Sequence, residues 1–304
     1  MKHTLQVTLI LIALFLLTQV VGLITVNKYI EIEMVNGTKT IDHGATIIGE
    51  PPQIEDKTFT FVSIVIAILI GTGLLFLLIK FRLGRLWKYW FLLSVWVTLS
   101  ISFDVYITTW VALILAAILA ILKIYRKNTF VHNFTEIFIY TGIAIIILPF
   151  LNLISASALL IAISLYDAYA VWKSKHMIKL AKFQTKNKLF AGLYVPYKSE
   201  IKIKKGALPV PKKIVKERKA DAILGGGDMA FPLLFSAAVM EHLILVNNIT
   251  KIGALLLCFI ISLTSTIALL ILFVKGHQER FYPAMPFISL GCFIGLGIIF
   301  LIRF

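Results

Sequence analysis

The stretch ILGGGDMAFPLLF, residues 223–235, sets three consecutive glycines and a carboxylate inside a run that otherwise suits an apolar helix. Each of Gly225, Gly226 and Gly227 costs ~1 kcal/mol relative to alanine in a helix interior, so the run is weakly helical where they stand. Pro232 adds to this, because proline has no N–H to give the carbonyl four residues earlier, which belongs to Asp228. Glycines also clear side chains from a place where another backbone must come close. Tight helix packing through small residues would explain the glycines as well. It does not explain the acid, since an ionisable group inside a membrane costs about 3 kcal/mol on insertion scales and marks a functional site by default.

That a membrane is the setting follows from the rest of the chain. Its 304 residues are 59% hydrophobic with a mean hydropathy of +0.93, which excludes an ordinary soluble domain. Apolar runs long enough for a ~30 Å hydrocarbon core lie at 5–26, 60–80, 90–103, 106–124, 134–151, 154–171, 222–246, 252–274 and 283–302. These predict an all-α polytopic membrane protein with nine transmembrane helices. Only Asp104 and Val105 part the third run from the fourth, which leaves a tight helical hairpin and a misparsed pair both open. Lys2 and His3 precede the first run as a secretory leader's basic residues would, but the run is long for a leader and has no small-x-small exit, so a retained helix is expected. Cys258 and Cys292 both fall inside spans and offer no disulfide framework.

The net charge of +15 is concentrated: residues 173–219 hold 15 Lys+Arg against Glu200 and Glu217. The chain therefore divides into six helices over 1–172, a basic linker over 173–220 and three helices over 221–304. Positive charges concentrate on the cytoplasmic side, and the flanks Lys80, Arg82, Arg85, Lys88, Lys123, Arg126, Lys127, Lys275 and Arg280 agree with the linker. The loop over 27–57 instead carries Glu31, Glu33, Asp42, Glu50, Glu55 and Asp56 against Lys28, Lys39 and Lys57. Nine crossings then place the N-terminus in the cytoplasm and the C-terminus outside. Anionic lipid headgroups account for the basic linker without invoking nucleic acid.

Asp167, in LIAISLYDAYAVW (residues 160–172), has a matching position. It lies six residues before Lys173, about 9 Å of helix, and Asp228 lies nine residues after Lys219, about 13 Å. The two carboxylates thus arrive at similar depth on consecutive spans joined by the basic loop. Carboxyl groups brought within a few ångströms cannot comfortably both ionise and share one proton. That suits aspartic proteolysis: one carboxylate takes a proton from water while the other, protonated, hydrogen-bonds the scissile carbonyl. A structural polar group or a step on an ion path is the plainer reading of each aspartate alone. No metal site is legible, the six histidines being scattered, and no cofactor is expected. Further on, ERFYPAMPFISLG (residues 279–291) opens the last span with Pro283 and Pro286, and a Pro-Ala-Met-Pro turn near a site would supply backbone groups and a wall for extended substrate.

At these residues the chain resembles the presenilin and signal peptide peptidase family of GxGD intramembrane aspartyl proteases, and its plain loops resemble a microbial, archaeal-type presenilin homologue. Tyr166-Asp167 matches the family's Tyr-Asp, Gly225-Gly226-Gly227-Asp228 its Gly-x-Gly-Asp, and Pro283-Ala284-Met285 stands where the family has Pro-Ala-Leu. The resemblance implies Asp167 and Asp228 as the catalytic pair on helices 6 and 7, with Tyr166, the glycines and the proline turn at the start of helix 9 shaping the site. It implies transmembrane-helix proteins as substrates, cut within the bilayer, and no obligatory partner subunit is legible.

A helical substrate must unwind before its peptide bond is reachable, and an extended segment then needs hydrogen-bond partners. The alternation in EIKIKK, residues 200–205, is a candidate strand for that purpose. Asp104, Glu136 and Glu241 read as interfacial, solvated acids. The competing functions are a secondary transporter or channel using the same aspartates around a broken helix, and a prepilin-peptidase-like GxGD enzyme cutting at the membrane border.

Overall fold

The computed structural model describes residues 5–35, 38–52, 54, 56–126, 128–174, 190–199, 218–276 and 282–303. Its helices are α1 Leu5–Tyr29, α2 Thr60–Lys80, α3 Gly84–Asp104, α4 Thr109–Tyr125, α5 Thr129–Ile147, α6 Leu153–Tyr169, α7 Gly227–Leu245, α8 Lys251–Lys275 and α9 Met285–Arg303. Eight of these are long and apolar enough to cross a membrane, and α4, at 17 residues, is a shorter apolar helix. The third and fourth apolar runs are separate helices packed on each other and joined through residues 105–108.

Polar residues punctuate the bundle where helices begin. Asn128 accepts from the Phe130 amide ahead of α5, and Thr250 accepts from the Gly253 amide ahead of α8. Asn152 and Ser155 exchange side-chain bonds to each other's backbone in a capping box that starts α6 directly after the Leu148–Phe150 turn. Such caps satisfy amides that a helix leaves without partners, a need that apolar surroundings sharpen.

Burial ranks the helices. In α7, 78% of the apolar window is buried, against 6% in α2, so α7 is the bundle's core and α2 a peripheral helix presented to lipid. α7 touches α1, α5, α6, α8 and α9. Lipid is as apolar as leucine, so helices are held by close approach rather than by exclusion from water. Gly291 and Gly295 of α9 lie against the backbone of α8, where an added Cβ would come within 2.7 Å of the Ser265 and Ile261 Cα atoms. α1 has Leu11, Phe15, Gln19 and Leu23 fully buried, and Gln19 donates to the Met229 carbonyl at 3.0 Å, tying α1 to the first turn of α7.

Among the described residues, two antiparallel strand pairs accompany the helices. β1 (Ile30–Val35) pairs with β2 (Thr38–His43), and β3 (Gly192–Ser199) with β4 (Arg218–Gly225), in register Gly192↔Gly225 through Ser199↔Arg218. This changes the reading of the glycine run. Residues 222–225 belong to a strand, and α7 starts at Gly227 rather than at 222. The glycines are the corner between strand and helix, not a break within a helix. β4 also runs across the expected border between linker and third segment at 220/221. The candidate strand at 200–205 lies outside the described residues.

Candidate active site

The corner begins where β4 ends. The Gly226 amide donates to the Ala191 carbonyl at 3.3 Å, closing the hairpin, and the Gly226 carbonyl then accepts from the Met229 and Ala230 amides at 3.2 and 3.0 Å, opening α7. Asp228 therefore sits in the first turn of α7. It is half-buried. Pro232, one turn on, leaves the Asp228 carbonyl without its usual helical donor.

The three glycines have different jobs. A Cβ at Gly226 would meet the Tyr140 hydroxyl at 2.5 Å and its ring at 2.8 Å, so no side chain fits there. A Cβ at Gly225 would lie 3.3 Å from Asp228 Oδ2, which crowds the carboxylate. At Gly227 the nearest atom would be Phe231 at 3.5 Å, an ordinary contact, and the residue is exposed.

Asp167 closes α6. Helical bonding there passes into a π turn over Ala170–Ser174, with the Ala170 amide reaching the Asp167 and Tyr166 carbonyls. Its carboxylate is buried at 8% exposure and accepts from the Met285 amide at 3.1 Å. Met285 is the first residue of α9, and Pro283 and Ala284 approach it as irregular backbone with Pro286 just inside the helix. One turn away, the Ser164 and Ser289 hydroxyls meet at 2.6 Å. α6 and α9 are thus fastened twice, once through Asp167 itself. α6, α7 and α9 all touch one another; Tyr166-Asp167 is in the last turn of α6, Gly225–Asp228 leads from β4 into α7, and Pro283–Met285 leads into α9.

A polar cluster behind the corner was not anticipated. Glu136 is not an interfacial acid: it is 1% exposed, with Lys123 Nζ at 2.6 Å from Oε1. Its Oε2 accepts from the Tyr140 hydroxyl and from the Gly192 amide at 3.0 Å. Lys123, at the end of α4, donates further to Thr135 Oγ1 at 3.2 Å. A carbonyl only accepts, so His132 Nε2 carries the proton it gives Gly192 O at 2.8 Å. Asn133 takes the Tyr194 amide and gives to the Tyr194 carbonyl, both at 2.9 Å. The sequence offered one hint: a lysine and a glutamate 13 residues apart, each inside an apolar run, are a natural buried pair. Glu241 is likewise buried rather than interfacial, 2.5 Å from His43 Nε2 of β2.

The chain is thus a multi-pass helical bundle with one aspartate in the last turn of α6, another in the first turn of α7, and a proline-flanked entry to α9 whose Met285 amide meets Asp167. The family model "Signal-peptide peptidase, presenilin aspartyl protease" matches residues 12–303, and the chain belongs to that family of intramembrane aspartyl proteases. Among solved structures it is similar to one of a presenilin family intramembrane aspartate protease in a C222 crystal form, at 15% identity and TM-score 0.55 over 95% of this chain and 94% of that one. A second, of a presenilin family intramembrane aspartate protease in a P2 form, matches at 17% identity and TM-score 0.51 over 95% and 96%. No curated protein matches the chain in sequence.

Proposed function

We propose that Asp167 and Asp228 are the catalytic pair of this intramembrane protease and that it hydrolyses peptide bonds within transmembrane helices of other membrane proteins. The observation that supports the assignment is the Met285 amide on the Asp167 carboxylate, with α6, α7 and α9 packed on one another. One carboxyl takes a proton from water, and the water attacks the scissile carbon while the other carboxyl donates to the carbonyl oxygen. The diol collapses as a proton passes to the leaving amine, releasing two peptides. Gly227 leaves its side exposed, room that suits a substrate backbone beside Asp228. Tyr166 borders Asp167, and Pro283, Ala284 and Met285 form the opposite wall. The proposal includes nine crossings with α4 as the shortest, a cytoplasmic N-terminus, an outer C-terminus and activity without a partner subunit.

The hairpin suggests how unwound substrate is held. Gly192 and Tyr194 direct their backbone groups to His132, Asn133 and Glu136, so that edge of β3 is occupied, and Pro196 has no N–H to offer there. Alternation along the register then turns the outward amides and carbonyls of β4 at Lys219, Asp221, Ile223 and Gly225 away from β3. An extended segment adding at that edge would run toward Asp228. Ile223→Pro deletes one outward donor and spares the β3 ladder; we expect cleavage to fall about tenfold, the scale of one lost hydrogen bond.

The reading is tested by incubating purified protein with single-span substrates and locating cuts by mass spectrometry. Cuts inside the span are expected, with rates falling on both sides of a mildly acidic to neutral optimum because one shared proton is needed. Cuts confined to the cytoplasmic border would favour the prepilin-type alternative. Ion flux in liposomes without cleavage would favour a transporter or channel.

A further inference from the structure

We infer that the buried Lys123–Glu136–Tyr140 chain positions the Gly225–Asp228 corner, with Glu136 as its pivot; the kinetic part of this inference rests on the protease reading above.

Each oxygen of Glu136 is committed. Oε1 faces Lys123 at 2.6 Å, while Oε2 receives the Tyr140 hydroxyl and the Gly192 amide. The two Oε2 donors reach the corner from both sides. Gly192 starts β3 opposite Gly225, and neighbouring Ala191 receives the Gly226 amide. Tyr140, 3% exposed, fills the space where a side chain at 226 would stand. The backbone two residues before Asp228 is therefore held by a strand clamp on one side and an aromatic stop on the other, and both end on one carboxylate.

Lys123 faces this carboxylate, and the lysine's hydrogens are taken by Glu136, Thr135 and the His132 carbonyl at 2.6, 3.2 and 3.4 Å. A buried ion pair is a poor source of stability compared with apolar packing. Its merit here is fixed geometry, carried from the end of α4 and the middle of α5 to the corner. The role assigned to these residues is positional: they set where the Asp228 segment lies.

The experiment compares parent protein, Tyr140→Phe and the paired Lys123→Met/Glu136→Gln variant. The pair removes both charges together, so folding does not hinge on a lone buried ion. Hydrogen exchange is read over residues 190–195 and 222–230, and kcat and KM are read on a single-span substrate, with Asp228→Ala as the blank. Expected are faster exchange in both segments for the paired variant, and for each variant a kcat lower by about ten- to a hundredfold, the scale of an ångström of misplacement, with KM within about twofold. Exchange unchanged in the paired variant, or kcat unchanged in folded Tyr140→Phe, overturns the inference. A parent no more active than the blank instead removes the protease reading, and exchange alone then decides whether the chain holds the corner.

Discussion

The two hairpins invite comparison, because each is anchored to the bundle through one buried glutamate and the anchors differ in kind. β1–β2 is held side chain to side chain, His43 against Glu241 near the end of α7, with Lys251 Nζ on the Ile30 carbonyl at 2.6 Å as a second tie. β3–β4 is held side chain to backbone, with Glu136, His132 and Asn133 reading the amides and carbonyls of Gly192 and Tyr194. A side-chain anchor fixes where a hairpin docks and leaves its edges alone. A backbone anchor fixes the strand itself and consumes one of its edges. The first suits a cover, and the second suits the substrate template proposed above.

That contrast can be broken by mutation. The largest effect is expected from Lys123→Met alone, which leaves the Glu136 carboxylate buried without its counter-ion and should cost about 3–5 kcal/mol. Thermal unfolding in detergent reads this as a fall of many degrees together with loss of cleavage; an unchanged midpoint would mean that the pair carries no weight. His43→Leu strands Glu241 and should cost ~2 kcal/mol. Glu241 lies 13 residues beyond Asp228, about 20 Å along α7, so kcat measured where the variant is folded should stay within about twofold. A large fall in kcat there would erase the distinction between the hairpins. Smallest is Thr250→Ala, which removes the cap of α8 beside the first hairpin and should cost about 1 kcal/mol with no kinetic signature.

What the sequence made legible was depth, and what it hid was neighbours. The apolar runs locate each helix with end errors of up to six residues, since hydropathy reports length against a slab of known thickness. Asp167, Asp228 and Pro283 stood out because acids and prolines are expensive in those runs. Glu136 and Glu241 were misread for the same reason: their distance from a span end suggested water, while Lys123 and His43 arrive from other elements. The strand Gly192–Ser199 is hidden inside a basic linker although Leu193, Val195 and Tyr197 alternate, and its Pro196 is tolerated because no ladder bond is needed there. The start of α7 was placed five residues early because Ala222, Ile223 and Leu224 are as apolar as the helix they precede, and periodicity cannot separate a short buried strand from a helix end.

The central claim is that two aspartates on α6 and α7 act as one catalytic unit, and the most direct measurement compares the parent with Asp167→Asn and Asp228→Asn on the same single-span substrate in reconstituted membranes. Both variants keep the side-chain volume and should unfold at temperatures close to the parent's. The account predicts cleavage at the blank level for each of them, since neither carboxyl can complete the proton exchange alone. Cleavage retained by either folded variant at more than about a tenth of the parent rate, a barrier change below 1.4 kcal/mol, would contradict it.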